Sequence, residues 1–299
     1  MFDKTIVGCD GIQLRLTEYT QPNCQAIVVC VHGMAEHRKR YNDFAELLLN
    51  NNYSVITYDH RGHGESLIEE GLGYLGHDGF NKMIDDLDII VEYAIKNYPK
   101  KKIFLLGHSM GSFITQGYIQ KYKKVSGVIL TGSSFKTRGV GLLKTLAYIQ
   151  CKFGDELKPG LFYDKAMFGT FNRQFKPNQT NFDWLNRDID EVNKYVADPL
   201  CGQVLSRQFY YDFLKGLKKI QSTKNIKQIR KNIPIFILAG DQDPVGFMGK
   251  KVKELFNAYR NYSTKIELKL YQGARHEILL EQNKEEVHRD ILKWLEKIS

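Results

Sequence analysis

Residues 101–112, KKIFLLGHSMGS, run from a short apolar stretch into a turn bounded by two glycines, and the following FITQGYIQ has helical character. A buried strand that bends sharply and exposes a lone serine before a helix is the setting required of a nucleophile elbow, Gly107-x-Ser109-x-Gly111. A hydroxyl that needs only a hydrogen bond does not need such a bend. The small flanking residues let a strained turn pass close to its neighbours.

Working outward, further apolar runs read as buried strands: residues 25–33, 53–59, 125–132, 233–240 and 265–271, with 102–107 as the strand before the elbow. Amphipathic helical patterns separate them, beginning near residues 44, 83, 112 and 250, and KEEVHRDILKWLEKI forms a last helix. Strands apolar on both faces and alternating with helices predict an α/β fold with a mostly parallel sheet covered on both sides. The opening segments TIVGC and IQLRLTEY alternate polar and apolar residues and suit an antiparallel edge. The rhythm breaks after residue 134. From 135 to 210 aromatics cluster (among them Phe162, Phe168, Phe171, Phe182 and Trp184) without a buried strand. This predicts a mainly helical cap inserted into a core of residues 1–134 and 211–299. It would lie over the carboxyl ends of the strands, where open α/β sheets place ligands.

Hydrophobic residues make up 42% and charged residues 26% of the 299, values ordinary for a globular protein. No apolar run approaches the ~20 residues of a membrane span, and the first residues do not read as a signal peptide. Five cysteines without C-x-x-C spacing fit free thiols in a reducing, cytoplasmic compartment. The glycosylation sequons at Asn178 and Asn261 are then accidental. The net charge of +9 lies on scattered lysines with no basic stripe interleaved with aromatics. That excludes a nucleic-acid partner but suits transient contact of the cap with an anionic membrane or micelle surface. The oligomeric state is not readable from the sequence.

A serine hydroxyl needs a base, itself oriented by a carboxylate, and on this fold the chain order is Ser, acid, His. Asp241-Gln242-Asp243-Pro244 follows one late strand and Ala274-Arg275-His276 follows the next. Of eight histidines, only His276 occupies the required loop after the elbow, since His288 lies in the terminal helix pattern. Asp243, held extended by Pro244, and Asp241, nearer the strand end and suited to tying the turn, both remain candidates for the acid. The oxyanion calls for two backbone N–H donors. Met110, directly after the serine, supplies one, and Met34, in the loop VHGMAEH, the other.

HGMAEHRKRY, DHRGHGES, GHSMGS, GDQDPVG and GARHEIL together resemble the monoacylglycerol lipase and lysophospholipase group of α/β-hydrolases. FDWLNRD and YVADPLCG extend the resemblance into the insertion. The resemblance implies Ser109 as nucleophile, Asp243 rather than Asp241 as acid, His276 as base, and Met34 and Met110 as oxyanion donors. It also implies a small-molecule acyl ester or lipid substrate, with no metal or organic cofactor. One departure is Ala35, where many relatives carry glycine. The reading is therefore a serine ester hydrolase acting on monoacylglycerols or lysophospholipids. Its rivals are a short-chain carboxylesterase, an amide or peptide hydrolase, or a non-catalytic binding protein on the same frame.

Two other motifs carry less. GLGYLG (71–76) matches a dinucleotide fingerprint but falls in a loop separated from the preceding strand. Asp59, His60, His63 and Glu65, with Arg61 and Glu36, read as internal loop ties rather than metal or substrate ligands.

Overall fold

The computed structural model describes residues 1–69, 71–137 and 139–299. Eight strands form one sheet in the order β1-β2-β4-β3-β5-β6-β7-β8. β1 (Phe2–Val7) and β2 (Gln13–Tyr19) pair antiparallel at one edge, and β2 pairs antiparallel with β4 (Tyr53–Tyr58). β3 (Ala26–Val31), β5 (Lys102–His108), β6 (Gly127–Thr131), β7 (Ile235–Gly240) and β8 (Ile266–Tyr271) are parallel to their neighbours, as β3 is to β4.

The central strands are apolar throughout because both faces are covered. Successive side chains alternate between faces: Ile27, Val29 and Val31 enter one core cluster, Val28 and Cys30 the other. The first cluster meets α2 (Gly79–Asn97) and α3 (Met110–Lys121), the second α1 (Asn42–Asn50) and α10 (Lys284–Ile298). On α2, Met83, Leu87, Ile90, Val91 and Ala94 recur at helical spacing and are buried. On α10 the matching set is Val287, Ile291, Trp294 and Leu295. Each such aliphatic side chain stabilises the fold by about 1.5–3 kcal/mol when removed from water.

Between β6 and β7 the described residues contain no strand. They form α4 (Val140–Phe153), α5 (Leu161–Phe168), α6 (Ile189–Ala197), α7 (Arg207–Ile220) and α8 (Thr223–Ile226), with a 3-10 turn at Phe171–Phe175. α7 turns Phe209, Phe213, Leu217 and Ile220 toward the core, where the Phe213 ring lies 6.1 Å from Phe80 and 6.0 Å from Phe113. Residue 210 thus lies inside a helix that packs on α2 and α3. α4 runs alongside α7 and buries only Ala147. α9 (Lys250–Arg260) then joins β7 to β8. All five cysteines are free, and among the described residues no helix is long and apolar enough to cross a membrane.

Candidate active site

Ser109 stands between β5 and α3 with φ 50° and ψ −118°, a conformation costing a non-glycine residue about 1–3 kcal/mol. The surroundings hold it there. Its N–H donates to the Thr131 carbonyl at 2.9 Å, and its own carbonyl accepts from the Ser112 N–H at 2.9 Å and the Ser112 hydroxyl at 2.6 Å. The flanking glycines are required by close approach: a Cβ at Gly111 would overlap the Val31 carbonyl oxygen, and one at Gly107 would meet the Gly111 carbonyl oxygen at 2.5 Å. Among the described residues the half-buried Ser109 hydroxyl has no hydrogen-bond partner.

The loops after β7 and β8 bring Asp243 and His276 together, both buried, with His276 Nδ1 3.0 Å from Asp243 Oδ1. The Val245 N–H donates to the same oxygen at 2.8 Å, while Asp243 Oδ2 is buried without a partner. A carboxylate accepts only, so Nδ1 carries the proton and Nε2 of the neutral ring is left basic. Burial opposes charging His276, but the Asp243 charge and hydrogen bond outweigh it, and its pKa is raised. Gly132, at φ 58°, leaves room for this ring, since a Cβ there would stand 2.7 Å from it. Asp241 is occupied otherwise: its Oδ1 accepts the Gly273 N–H at 2.8 Å, joining the two loops.

Met34 and Met110 border the same cavity as Ser109 and His276, and among the described residues neither N–H takes part in a turn or loop hydrogen bond. Met110 opens α3, where the first-turn N–H groups lack intrahelical partners and carry partial positive charge. Beneath Met34, Glu36 accepts the Gly33 N–H, the Tyr41 hydroxyl at 2.9 Å and Arg40 at 2.7 Å. Arg40 also grips Glu277 through two bonds, 2.6 and 2.9 Å. Two carboxylates and one guanidinium thus tie the Met34 loop to the residue beside His276. Arg40 and Glu277 were not singled out in the sequence, and no local signal marks them, because they lie 237 positions apart.

His32, His60 and His63 pack against one another in the neighbouring loops, with His32 and His60 centroids 4.2 Å apart. Burial pushes all three below the usual imidazole range, and burial followed by His276 takes His108 down to about 3. Asp59 accepts from Arg38 and the Glu65 N–H, and Arg61 binds Asp10 and Asp86. GLGYLG lies in a loop whose Gly73 donates to the Gly62 carbonyl. His37, Asp198 and Cys201 place one ligand atom each within 4.8 Å of one another. However, His37 Nδ1 accepts the Lys39 N–H, so its proton sits on Nε2, facing Asp198 at 2.8 Å. That is a hydrogen-bonded clip, not the bare nitrogen a metal needs.

The cavity holds about 630 Å³. Val140 and Leu143 of α4, Phe168 of α5, Trp184, and Phe213 and Leu217 of α7 form its apolar walls. Trp184 packs against His276 at 5.1 Å between centroids, and against Phe171 at 5.1 Å.

The family model described as "Serine aminopeptidase, S33" matches residues 22–283. A monoglyceride lipase homolog of Monkeypox virus is 28% identical over 91% of this chain and 88% of its own length. The monoacylglycerol lipase of Mycolicibacterium smegmatis is 24% identical over 98% of this chain and 96% of its own. Among solved structures, a thermostable carboxyl esterase from Bacillus coagulans in complex with glycerol superposes with a TM-score of 0.93 at 27% identity, covering 99% of this chain and 98% of that one.

Proposed function

This chain belongs to the serine aminopeptidase S33 family within the α/β-hydrolases, and on that premise we propose that it hydrolyses fatty acyl esters, with monoacylglycerols or lysophospholipids as substrates. The observation that carries the proposal is the Asp243–His276 hydrogen bond on the same cavity as a strained, unpartnered Ser109. Ser109 Oγ attacks the ester carbonyl while His276 Nε2 takes its proton. Asp243 holds the ring in the Nδ1–H tautomer and stabilises the imidazolium. The Met34 and Met110 N–H groups receive the oxyanion. His276 returns the proton to the leaving alcohol, and a water deprotonated by His276 then releases the acyl group from Ser109.

The apolar walls support a fatty chain. The lipase relatives and the esterase bound to glycerol support a glycerol-type alcohol. The segment 135–210 acts in this reading as the cap, and its free outer face supports contact with a lipid surface. On α4, Leu142, Leu146, Ile149 and Phe153 recur at i, i+4, i+7 and i+11 and are all exposed, while Val140 and Leu143 border the cavity. Five free thiols support a reducing, cytoplasmic setting.

The test is fatty-acid release from a long-chain monoacylglycerol, a lysophospholipid and short-chain esters in parallel. Preference for either long-chain lipid upholds the proposal. Turnover of short esters alone leaves a carboxylesterase, and cleavage of amino-acid amides in preference to esters leaves a peptidase.

A further inference from the structure

Ala35, the residue after the Met34 donor, has φ 51°. This left-handed region costs an L-residue roughly 1–2 kcal/mol relative to glycine. Its carbonyl oxygen is held by two donors, both from residues 185–205: the Tyr195 hydroxyl at 3.0 Å and the Gly202 N–H at 2.9 Å. Tyr195, on α6, is buried, and its position is fixed on two sides. Arg40 lies over its ring at 4.8 Å, and Phe182 packs against it at 5.1 Å. The clip between Asp198 and His37 and the Glu277 N–H bond to the Leu185 carbonyl, 2.8 Å each, bind the same insertion to the loops on either side.

We propose that Tyr195 is a positioning residue: its hydroxyl, with the Gly202 N–H, fixes the Ala35 carbonyl and so keeps the preceding Met34 N–H aimed at the oxyanion. The inference rests on the role given to Met34 above. The Met34 amide is one peptide from Ala35, so rotation of Ala35 out of the left-handed region swings the chain that carries it. Ala35 itself resists the conformation, and the local tie from Glu36 holds the loop upstream, at the Gly33 N–H, rather than at Ala35. The insertion supplies what the loop lacks, and a displaced insertion releases both bonds together. The oxyanion site is therefore complete only when residues 195–202 sit against the core.

Tyr195→Phe removes the hydroxyl and keeps the ring between Arg40 and Phe182. Kinetics of ester hydrolysis are read well below each variant's Tm, so that loss of fold is not mistaken for loss of rate. The expected result is a kcat lowered about tenfold with KM within about twofold, less than the ~10²–10³ of deleting an oxyanion donor outright. A trifluoromethyl ketone, which forms an oxyanion on Ser109, should weaken in parallel, while inhibition by a free fatty acid stays unchanged. In an Ala35→Gly background, where the left-handed conformation is unstrained, the Tyr195→Phe loss should shrink to about threefold or less. An unchanged kcat, or a raised KM with kcat intact, would mean that Tyr195 only packs or binds substrate and would overturn the inference. An equal loss in both backgrounds would overturn the part assigned to Ala35. Wild-type protein inactive on every ester would instead overturn the hydrolase reading itself.

Discussion

α3 and α4 both follow a strand, and both are rich in apolar residues, yet their fates differ. α3 buries every residue except Lys121, whereas α4 buries Ala147 alone. α3 lies against the sheet directly after Ser109, so the elbow inherits a rigid, close-packed environment in which a strained φ persists. α4 lies across the mouth of the site, with one side bordering the cavity and the other in water. Among the described residues, half of the sixteen exposed large apolar side chains fall between Leu142 and Phe162, so this exposed surface is concentrated rather than scattered. In the proposed reading, the contrast separates what performs the reaction from what admits the substrate.

The comparison is broken most severely at Ser109. Ser109→Ala should lower turnover by roughly 10⁴–10⁶-fold while leaving Tm nearly unchanged, as measured by esterase assay and thermal melting. Retained turnover would remove the proposed nucleophile. Asp243→Asn follows, with a loss of about 10⁴-fold. Asp241→Asn, which weakens only a loop tie, should cost less than about tenfold, and the reverse ranking would move the acid to Asp241.

A pH profile sharpens the same contrast. The base must be neutral, and the pKa of His276 is raised, so kcat/KM should fall on acidification with a midpoint above the ~6.5 of free histidine. Stability runs on other groups. His32, His60, His63 and His108 have lowered folded-state pKa values. Below about pH 6.5 the unfolded chain therefore binds more protons at these sites, and their contribution declines as pH falls. His276 contributes with the opposite sign, being lost as pH rises through its folded pKa. His288, lowered by burial, acts with the same sign as the first four; these five lowered groups should dominate, and Tm should drop between pH 6.5 and 5.

The smallest effects divide the two helices. Gly111→Ala, forced against the Val31 carbonyl, should destabilise by about 1–3 kcal/mol in denaturant titration. Leu146→Ser on the outer face of α4 should stay within about 0.5 kcal/mol but reduce sedimentation with anionic vesicles. If it leaves sedimentation unchanged, the outer face is not the surface that meets lipid.

The strands were legible because burial on both faces writes continuous apolar runs, and each expected strand appears within a few residues of its expected ends. The chain order Ser109, Asp243, His276 follows from loops at the carboxyl ends of β5, β7 and β8, which is a property of topology and visible in one dimension. Choosing between Asp241 and Asp243 by local geometry was not possible. The bond from the Gly273 N–H to Asp241, which occupies that carboxylate, joins two loops brought side by side only by β7–β8 pairing. Arg40–Glu277 and Tyr195–Ala35 were invisible for the same reason, spanning 237 and 160 positions. Trp184 was noted as one aromatic among many, and nothing local marked it as the one beside His276.

The centre of the sheet, β3 beside β5 beside β6, is complete once residue 131 is in place. A chain still being synthesised therefore holds every strand that frames the Ser109 turn long before residues 243 and 276 exist. On the proposed mechanism, such a chain would hold a serine without its base. On that proposed mechanism hydrolysis should arrive only when β7 and β8 dock, so in a refolding experiment its recovery should track the last strands rather than the first.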